Sequence, residues 1–177
     1  RKIVNLQRAG MGSPPQWAGL KFFNVYGPNE YHKGNQRSVV ATSYSLVSRG
    51  KPVSLFKSYN KRYMDGGQLR DFIWVGDCVD VMLWLLKNNN VNGFFNIGTG
   101  KARSFEELAN ALFLALGREP RIEYIEMPRE IRSRYQYFTE AKVAGLRSAG
   151  FEKEFTSLEA GVAQYVSQYL SRKDPYK

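Results

Sequence analysis

A lysine and the only histidine of the 177-residue chain lie side by side in a polar loop, as His32 and Lys33. The loop follows an apolar and aromatic run that stops at Gly27 and Pro28. The run has the composition of a buried strand, and a polar loop at the end of a scaffold strand often carries a binding or catalytic site. Lys33 is therefore the first candidate for chemistry. The alternative is a lysine that faces solvent or a phosphate group, which is common in a chain this basic.

A second candidate is the G-T-G sequence at residues 98–100, which follows an apolar run and precedes a helical pattern, as a dinucleotide-binding turn would. Arg103 occupies the position of the third glycine, and no acidic residue follows in the pattern that a bound ribose requires. The sequence therefore favours a tight turn between a strand and a helix over a cofactor site.

The acidic residues Asp71, Asp77 and Asp80 lie close enough in sequence to suggest a metal site. No histidine accompanies them, and Asp77 stands where a helical pattern begins, so its carboxylate is predicted to cap that helix. We predict no metal site.

The elements that position these residues follow from hydrophobic patterning. Apolar runs without polar alternation predict strands near residues 20–26, 71–75 and 94–97, and such runs are typical of strands buried on both faces of a parallel sheet. Helical patterns alternate with the strands, and Ser104 with Glu107 forms a capping box at the start of one helix. The alternation predicts an α/β fold with parallel pairing, in which ligands bind beyond the carboxyl ends of the strands.

The helix that follows residues 71–75 carries several apolar side chains at helical spacing. We predict that its buried stripe consists of Val79, Met82, Leu83 and Leu86.

The net charge of +10 favours an anionic partner. No known nucleic-acid-binding signature organises the basic residues, so we expect an anionic small molecule and neither nucleic acid nor a membrane; a non-catalytic basic module that binds anions or RNA is the alternative. The single cysteine, Cys78, excludes an internal disulfide framework. With no signal peptide and no apolar run of about 18 residues, we expect a cytoplasmic protein.

Several short segments together resemble the C-terminal half of extended short-chain dehydrogenases/reductases. They are F-F-N-V-Y-G-P, H-K-G, L-R-D-F-I-W-V-G-D, F-N-I-G-T-G, S-F-E-E-L and R-Y-Q-Y-F-T. The N-V-Y-G-P and R-D-F-I segments occur across nucleotide-sugar epimerases and dehydratases, whereas H-K-G and R-Y-Q-x-F-T are similar to the members that epimerise an ADP-heptose. The resemblance implies the last strands and helices of a Rossmann-type parallel sheet, plus a small α/β substrate-binding domain.

The resemblance also implies how the chain is divided. Residues 1–10 correspond to the end of the helix that carries the family's Y-x-x-x-K pair, and residues 11–177 to the C-terminal substrate-binding part. Neither that pair nor the family's G-x-x-G-x-x-G cofactor turn is in its expected place. We therefore expect the N-terminal half of the same protein to be a partner of this chain, the whole protein to be a homo-oligomer, and the 177 residues alone to be inactive.

The implied activity is inversion of C6 of the heptose in ADP-glycero-manno-heptose, a precursor of the lipopolysaccharide core. It proceeds by transient oxidation to a 6-keto intermediate with NADP and re-reduction on the other face. Inversion requires proton transfer on both faces, hence two bases. One is the tyrosine of the Y-x-x-x-K pair, and the other matches Lys33. An epimerase or dehydratase of the same family that acts on a UDP- or dTDP-sugar is the alternative.

The other site residues are carried over from the family. Val25 matches a position that meets the nicotinamide. The matched substrate positions are Asn24, Asn35, Thr42, Phe56, Arg70 and Tyr135.

Three of these positions have structural alternatives. For Asn24 the alternative is a strand-end amide whose hydrogen bonds are satisfied within the chain. The planar guanidinium of Arg70 suits bidentate binding of a diphosphate, but an ion pair with Asp71 or another acidic residue is the alternative. Phe56 matches a position beside the adenine, and core packing is its alternative. The segment 58–68 is longer than in the family, and the turn after Phe56 is less acidic than the family's turn. The contacts that would recognise the nucleotide base are therefore left open.

Overall fold

Short strands and helices alternate along residues 14–172, the part of the chain that the computed structural model describes. The predicted helix remainder at residues 1–10 lies outside the described residues. The elements, in chain order, are β1 (Ala18–Phe22), β2 (Asn24–Tyr26), a 3-10 segment (Tyr31–Gln36), α1 (Val39–Ser48), β3 (Val53–Phe56), β4 (Leu69–Arg70), β5 (Phe72–Trp74), α2 (Val75–Lys87), β6 (Gly93–Ile97), β7 (Arg103–Ser104), α3 (Phe105–Ala115), β8 (Ile122–Ile125), α4 (Arg129–Arg132), α5 (Ala144–Ser148) and α6 (Leu158–Tyr165), which continues as a π-helical turn (Val166–Leu170).

The strand predicted near residues 20–26 consists of two pieces with different partners. β1 pairs in parallel with β6, and β2 pairs in parallel with β5. The change occurs at Phe23, whose N–H donates to the Ile97 carbonyl (2.9 Å), while the N–H of Asn24 donates to the Asp71 carbonyl (3.0 Å). Burial on both faces was expected, but β1 contains exposed residues, including Phe22. It is less buried because, within residues 14–172, it belongs to a sheet of only two strands.

The remaining strands form two further pairs. β3 pairs in parallel with β8, and β4 pairs antiparallel with β7. Parallel strands joined by helices confirm the predicted α/β class, and β6, β1, β2 and β5 are compatible with part of a Rossmann-type sheet. Within the described range, no helix is both long and apolar enough to cross a membrane.

Helix ends follow the sequence closely in two places. Ser38 caps α1 by accepting a hydrogen bond from the N–H of Ala41 (3.2 Å). The capping box at α3 is confirmed, because the Ser104 hydroxyl accepts from the N–H of Glu107 (3.0 Å) and the Glu107 carboxylate accepts from the N–H of Ser104 (2.7 Å).

The start of α2 differs from the prediction. The helix begins at Val75, with Trp74 at the N-cap position, so Asp77 lies within the first turn and does not cap the helix. The carboxylate of Asp77 is buried and instead accepts hydrogen bonds from the N–H (2.8 Å) and hydroxyl (2.9 Å) of Thr156. The capping prediction was wrong because the helix begins two residues before Asp77. The Asp77 carboxylate therefore accepts from Thr156, far along the chain, and not from the N–H groups of its own helix end.

The predicted buried stripe of α2 was also wrong. All four of its residues are exposed, and the face that packs inside contains Cys78, Val81 and Leu85. The helix has apolar side chains on two adjacent faces. Periodicity therefore predicts a helix, but it cannot tell which apolar face meets the rest of the chain.

Two clusters of buried side chains form the core. The larger one joins α1, α3 and α6 to β3 and β5 and includes Val40, Leu112 and Tyr165. The smaller one packs α2 against β5, β6 and α5 and includes Ile73 and Ile97. Both clusters receive residues from β5, so that strand connects them.

The carboxylate of Asp71, which is fully buried, joins three distant segments. It accepts hydrogen bonds from the N–H (2.7 Å) and hydroxyl (2.7 Å) of Thr99, and from the N–H groups of Gly100 (2.9 Å) and Ala141 (2.9 Å). A Cβ atom at Gly98 would lie 2.7 Å from a carboxylate oxygen of Asp71, so this close approach requires glycine. The G-T-G turn therefore surrounds an internal carboxylate.

We expect Asp71→Asn to destabilise the chain by about 2–4 kcal/mol, because an amide group would present N–H donors to backbone N–H donors in a buried site. Urea unfolding of the purified chain measures the change. The control is Asp80→Asn, which removes a partly exposed ion pair with Lys153 and is expected to cost less than about 1 kcal/mol. Equal losses in both variants would contradict the structural role of Asp71.

Cys78 is expected to be unreactive in the folded chain. Burial, and secondarily the negative charge of Asp77, raise the pKa of Cys78 to about 12, while the positive charge of Lys33 acts in the opposite direction. The reactive thiolate is therefore scarce at pH 8. Labelling with a maleimide at pH 8 is expected to be slow in buffer and rapid in urea; rapid labelling of the folded chain would show that the thiol is accessible.

Candidate functional site

A cavity of about 750 Å³, here called the strand-end cavity, opens at the carboxyl ends of β2 and β5. Val25, Lys33, Asp77 and Thr156 are among the residues that line it. The carboxyl ends of parallel strands are where α/β sheets bind their ligands. The structure therefore brings two predicted site residues, Val25 and Lys33, to one cavity.

The loop that carries Lys33 is held by the buried carboxylate of Glu30. This carboxylate accepts hydrogen bonds from the N–H (2.6 Å) and hydroxyl (2.6 Å) of Ser38 and from the hydroxyl of Tyr165 (3.2 Å). The carbonyl of Glu30 accepts from the N–H of Lys33 (3.0 Å). Glu30 thus ties the lysine loop to the start of α1 and to α6. Sequence reasoning missed Glu30, because its partners lie up to 135 positions away.

Charged groups of both signs line the strand-end cavity. Asp77, Asp80, Lys33 and Lys153 contribute to it, and the Lys153 ammonium pairs with Asp80. Burial raises the pKa of Asp77, and its two hydrogen bonds from Thr156 oppose that change. Within residues 14–172, no group of three or more His, Cys, Asp or Glu side chains is arranged to hold a metal ion.

Arg70 lies in a second place, between aromatic rings. Its guanidinium carbon is 5.3 Å from the ring centre of Tyr135 and 5.7 Å from that of Phe105, and the side chain donates to the Leu69 carbonyl (2.8 Å). Only 9% of the residue is exposed, and burial lowers the pKa of Arg70. Arginine nevertheless stays charged in proteins. A nearly buried cation therefore lies here against the faces of two rings.

Arg70 forms no ion pair with any acidic residue in the described part of the chain. The structural alternative predicted for it, a pair with Asp71, is not formed, because the carboxylate of Asp71 is occupied by backbone N–H groups and Thr99. A buried charge usually has a partner. Arg70 is therefore suited to receive an anion from outside the chain.

A cavity of about 210 Å³, here called the arginine pocket, is lined in part by Phe105 and Tyr135, whose rings also flank the Arg70 guanidinium. Phe56, Gln68, Phe105 and Tyr135 are among its lining residues. The ring of Phe56 meets that of Tyr135 edge-on, with 6.4 Å between ring centres. The lining of the pocket is mostly aromatic and aliphatic, and Ser54 and Gln68 add polar groups. Such a lining suits a flat aromatic ligand group placed next to a cation-bound anion.

The long segment 58–68 contributes Gln68 to the lining of the arginine pocket. The N–H of Ser58 donates to the carboxylate of Asp65 (2.6 Å), which closes the segment on itself. The N–H of Tyr59 donates to the hydroxyl of Tyr137 (2.9 Å), and the rings of Tyr137 and Tyr135 are 5.4 Å apart. The segment is therefore connected to the pocket through two tyrosines that sequence reasoning did not link to it.

The other predicted site residues are placed elsewhere. Asn24 is exposed and lines a third cavity, of about 520 Å³, which does not include its strand neighbour Val25. Thr42 is exposed, and its hydroxyl donates to the Ser38 (3.1 Å) and Val39 (3.2 Å) carbonyls at the start of its own helix. It lines neither the strand-end cavity nor the arginine pocket. The side chain of Asn35 lies outside what the structure describes.

Comparison with known proteins identifies the chain's relatives. An ADP-L-glycero-D-manno-heptose-6-epimerase of Nitratidesulfovibrio vulgaris is 57% identical over 159 residues, which cover 90% of this chain and 49% of the relative. A protein of the same name from Fusobacterium nucleatum is 50% identical over 169 residues, which cover 92% and 51%. The chain thus spans about half the length of the curated relatives it matches.

Solved structures of epimerases share the fold. The Helicobacter pylori ADP-L-glycero-D-manno-heptose-6-epimerase matches with a TM-score of 0.68 and 28% identity, over 86% of this chain and 44% of that one. The Thermus thermophilus UDP-glucose 4-epimerase, solved with NAD, matches with a TM-score of 0.70 and 26% identity, over 92% and 48%.

A family model matches residues 7–98, which is more than half of the chain and includes the lysine loop. The chain belongs to the NAD dependent epimerase/dehydratase family.

Proposed function

We propose that this chain is the substrate-binding part of an epimerase that inverts C6 of the heptose in an ADP-glycero-manno-heptose, with NADP as its cofactor. The names of relatives at 50–57% identity support this substrate over other nucleotide sugars. In the proposed arrangement, the arginine pocket holds the nucleotide and the strand-end cavity receives the reacting end of the sugar.

The observation that carries the proposal is the buried guanidinium of Arg70, which has no acidic partner among the described residues. A diphosphate supplies the missing negative charge, and two of its oxygens can accept from one guanidinium. The rings of Phe56 and Tyr135 beside it offer stacking surfaces to a nucleotide base. Burial raises the pKa of Tyr135, so its hydroxyl stays neutral and can donate a hydrogen bond.

Lys33 is proposed as the base on one face of the sugar. Removing the C6 hydrogen as a hydride requires that a base take the proton of the C6 hydroxyl, and returning it on the other face requires a second proton-transfer group on that side. Lys33 is half-buried at the wall of the strand-end cavity, on a loop that Glu30 holds in place. The proposed second group is the tyrosine of the family's Y-x-x-x-K pair, which belongs to the half of the relatives' sequences that lies outside their match to this chain.

The residues present fit only one end of a nicotinamide cofactor. Val25 and Pro28 give the strand-end cavity an apolar wall that can meet a nicotinamide ring. The G-T-G turn does not fit a pyrophosphate, because the Thr99 and Gly100 N–H groups already bind Asp71. When bound, the cofactor accepts the hydride and gives it back. Its phosphates are therefore assigned to the remainder of the full-length protein.

We expect the chain to bind ADP, and Arg70→Lys to weaken this binding by at least about tenfold, because an ammonium cannot form the bidentate contact. Isothermal titration with ADP, UDP and dTDP measures the effect and ranks the bases, with ADP expected to bind tightest. Arg49→Lys, on the exposed end of α1, is the control and should bind as the original chain does. Tighter binding of UDP or dTDP favours the alternative substrates, and salt-sensitive RNA binding without ADP binding favours a non-catalytic module.

In the full-length enzyme, we expect Lys33→Met to reduce epimerisation by at least about 100-fold, because a positioned base contributes that much or more. Epimer ratios of ADP-heptose followed over time measure the rate. Lys51→Met, an exposed lysine outside both cavities, is the control and should leave the rate unchanged. Near-normal turnover of Lys33→Met would falsify the assignment of this lysine as the base.

A further inference from the structure

One acceptor in the arginine pocket has no hydrogen-bonding partner within the described part of the chain. Gln68 lines the pocket and is only 1% exposed. Its side-chain nitrogen donates to the carbonyls of Phe56 (3.1 Å) and Lys57 (3.4 Å), whereas no described residue donates to its side-chain oxygen, Oε1. Buried polar atoms are nearly always hydrogen-bonded, so an open acceptor at a cavity indicates a partner that a ligand can supply.

The orientation of the Gln68 amide follows from its neighbours. If its nitrogen and oxygen exchanged places, the oxygen would face the Phe56 and Lys57 carbonyls, and acceptors would meet acceptors. The nitrogen therefore belongs on the side of the two carbonyls. Oε1 is not among the fully enclosed side-chain atoms that lack a partner, so it is reachable from the cavity that Gln68 lines. The amide thus presents an acceptor to the arginine pocket.

The backbone holds Gln68 in place. The Gln68 carbonyl accepts from the N–H of Phe105 (3.2 Å), and the N–H of the next residue, Leu69, donates to the Tyr137 carbonyl (2.8 Å). The side chain is also fixed through its two donated hydrogen bonds, so it has little freedom to turn away. An acceptor that is positioned in advance loses little conformational entropy when a ligand binds.

The surroundings of Oε1 restrict the kind of ligand that can donate to it. The rings of Phe56, Phe105 and Tyr135 line the same pocket, and the Arg70 guanidinium lies 5.3 Å from the ring centre of Tyr135. The rings suit a flat heteroaromatic group, and the guanidinium suits an anion attached to it. Oε1 then requires an N–H donor at the edge of the flat group. The exocyclic amino group of adenine is such a donor.

We propose that Gln68 is a specificity-determining residue, whose Oε1 accepts a hydrogen bond from the exocyclic amino group of an adenine base in the arginine pocket. A purine that lacks this amino group leaves Oε1 without a partner, which weakens its binding. The inference deepens the proposed function and rests on it in one respect, namely that the arginine pocket receives a nucleotide. Gln68 is the last residue of the segment 58–68, in which the sequence left the contacts to the base open.

Two purine ligands that differ only at C6 test the role of Gln68. Purine riboside 5′-diphosphate has a hydrogen where ADP has the amino group, so the ring, the ribose and the diphosphate are unchanged. We expect the chain to bind ADP about tenfold more tightly than the riboside diphosphate, as measured by isothermal titration. A comparison within the purines is needed because the ring N–H of uracil or thymine can also donate to Oε1. Equal binding of the two purines overturns the proposal.

A substitution assigns the preference to Gln68. Gln68→Leu removes the acceptor and should bring the ratio of the two affinities to about one, because neither ligand then has a partner at this point. A partly inactive preparation does not alter that ratio. Gln168→Leu, at an exposed glutamine in the π-helical turn, is the matched control and should keep the preference for ADP. A preference that persists in Gln68→Leu overturns the proposal.

A second readout keeps the test valid if Gln68→Leu does not fold, since leucine leaves the Phe56 and Lys57 carbonyls without their donor. In the unsubstituted chain, the NMR signals of the Gln68 side-chain amide should shift more on addition of ADP than on addition of purine riboside 5′-diphosphate. Equal shifts with both ligands overturn the proposal.

The outcomes also distinguish the role of Gln68 from the proposed function. Failure of the chain to bind either ligand overturns both, because the arginine pocket then holds no nucleotide. Equal binding of the two ligands overturns the role of Gln68 alone and leaves the function in place. The expected preference for ADP, found together with a full-length protein that does not epimerise ADP-heptose, supports the role of Gln68 and contradicts the function.

Discussion

The buried carboxylate of Asp71 determines where the parts of the candidate site meet. It accepts backbone hydrogen bonds from Thr99 in the G-T-G turn and from Ala141, so β5, the end of β6 and the chain before α5 converge on one group. Arg70 directly precedes Asp71, and Tyr135 lies on the segment that leads to Ala141. Because a carboxylate without such partners is not stable in the interior, these segments have little freedom to separate. The geometry of the arginine pocket depends on this constraint.

Two adjacent charged residues therefore have opposite roles. Asp71 has its hydrogen-bonding capacity filled from within the chain, whereas Arg70 is almost as deeply buried and has ring faces and one carbonyl as its contacts. Contacts with rings stabilise a cation only partly. The difference supports the proposal that an anionic ligand completes the surroundings of Arg70. The same comparison assigns the G-T-G turn to structure, since its N–H groups are already used.

Helix α2 shows how far local patterning can be read. Its apolar residues cover two adjacent sides, and the side with Cys78, Val81 and Leu85 packs inside while the side with Leu83 and Leu86 is exposed. Hydrophobic periodicity depends only on the helix's own sequence, so the apolar residues on either side of α2 fit the helical spacing equally well. The choice between them depends on which strands lie beneath the helix.

The sequence by itself predicted the α/β class, the strands near residues 71–75 and 94–97, and the capping box at Ser104 and Glu107. These features could be predicted because periodicity and helix caps depend on residues only a few positions apart. The family, and with it the candidate site residues, also followed from short motifs. Only the tertiary structure decided that Asp77 binds Thr156 and that Lys33 lies in a different cavity from Phe56. These outcomes depend on contacts between residues far apart in sequence, whose energies no local pattern contains. His32 and Lys33, the first residues that suggested chemistry, both line the strand-end cavity.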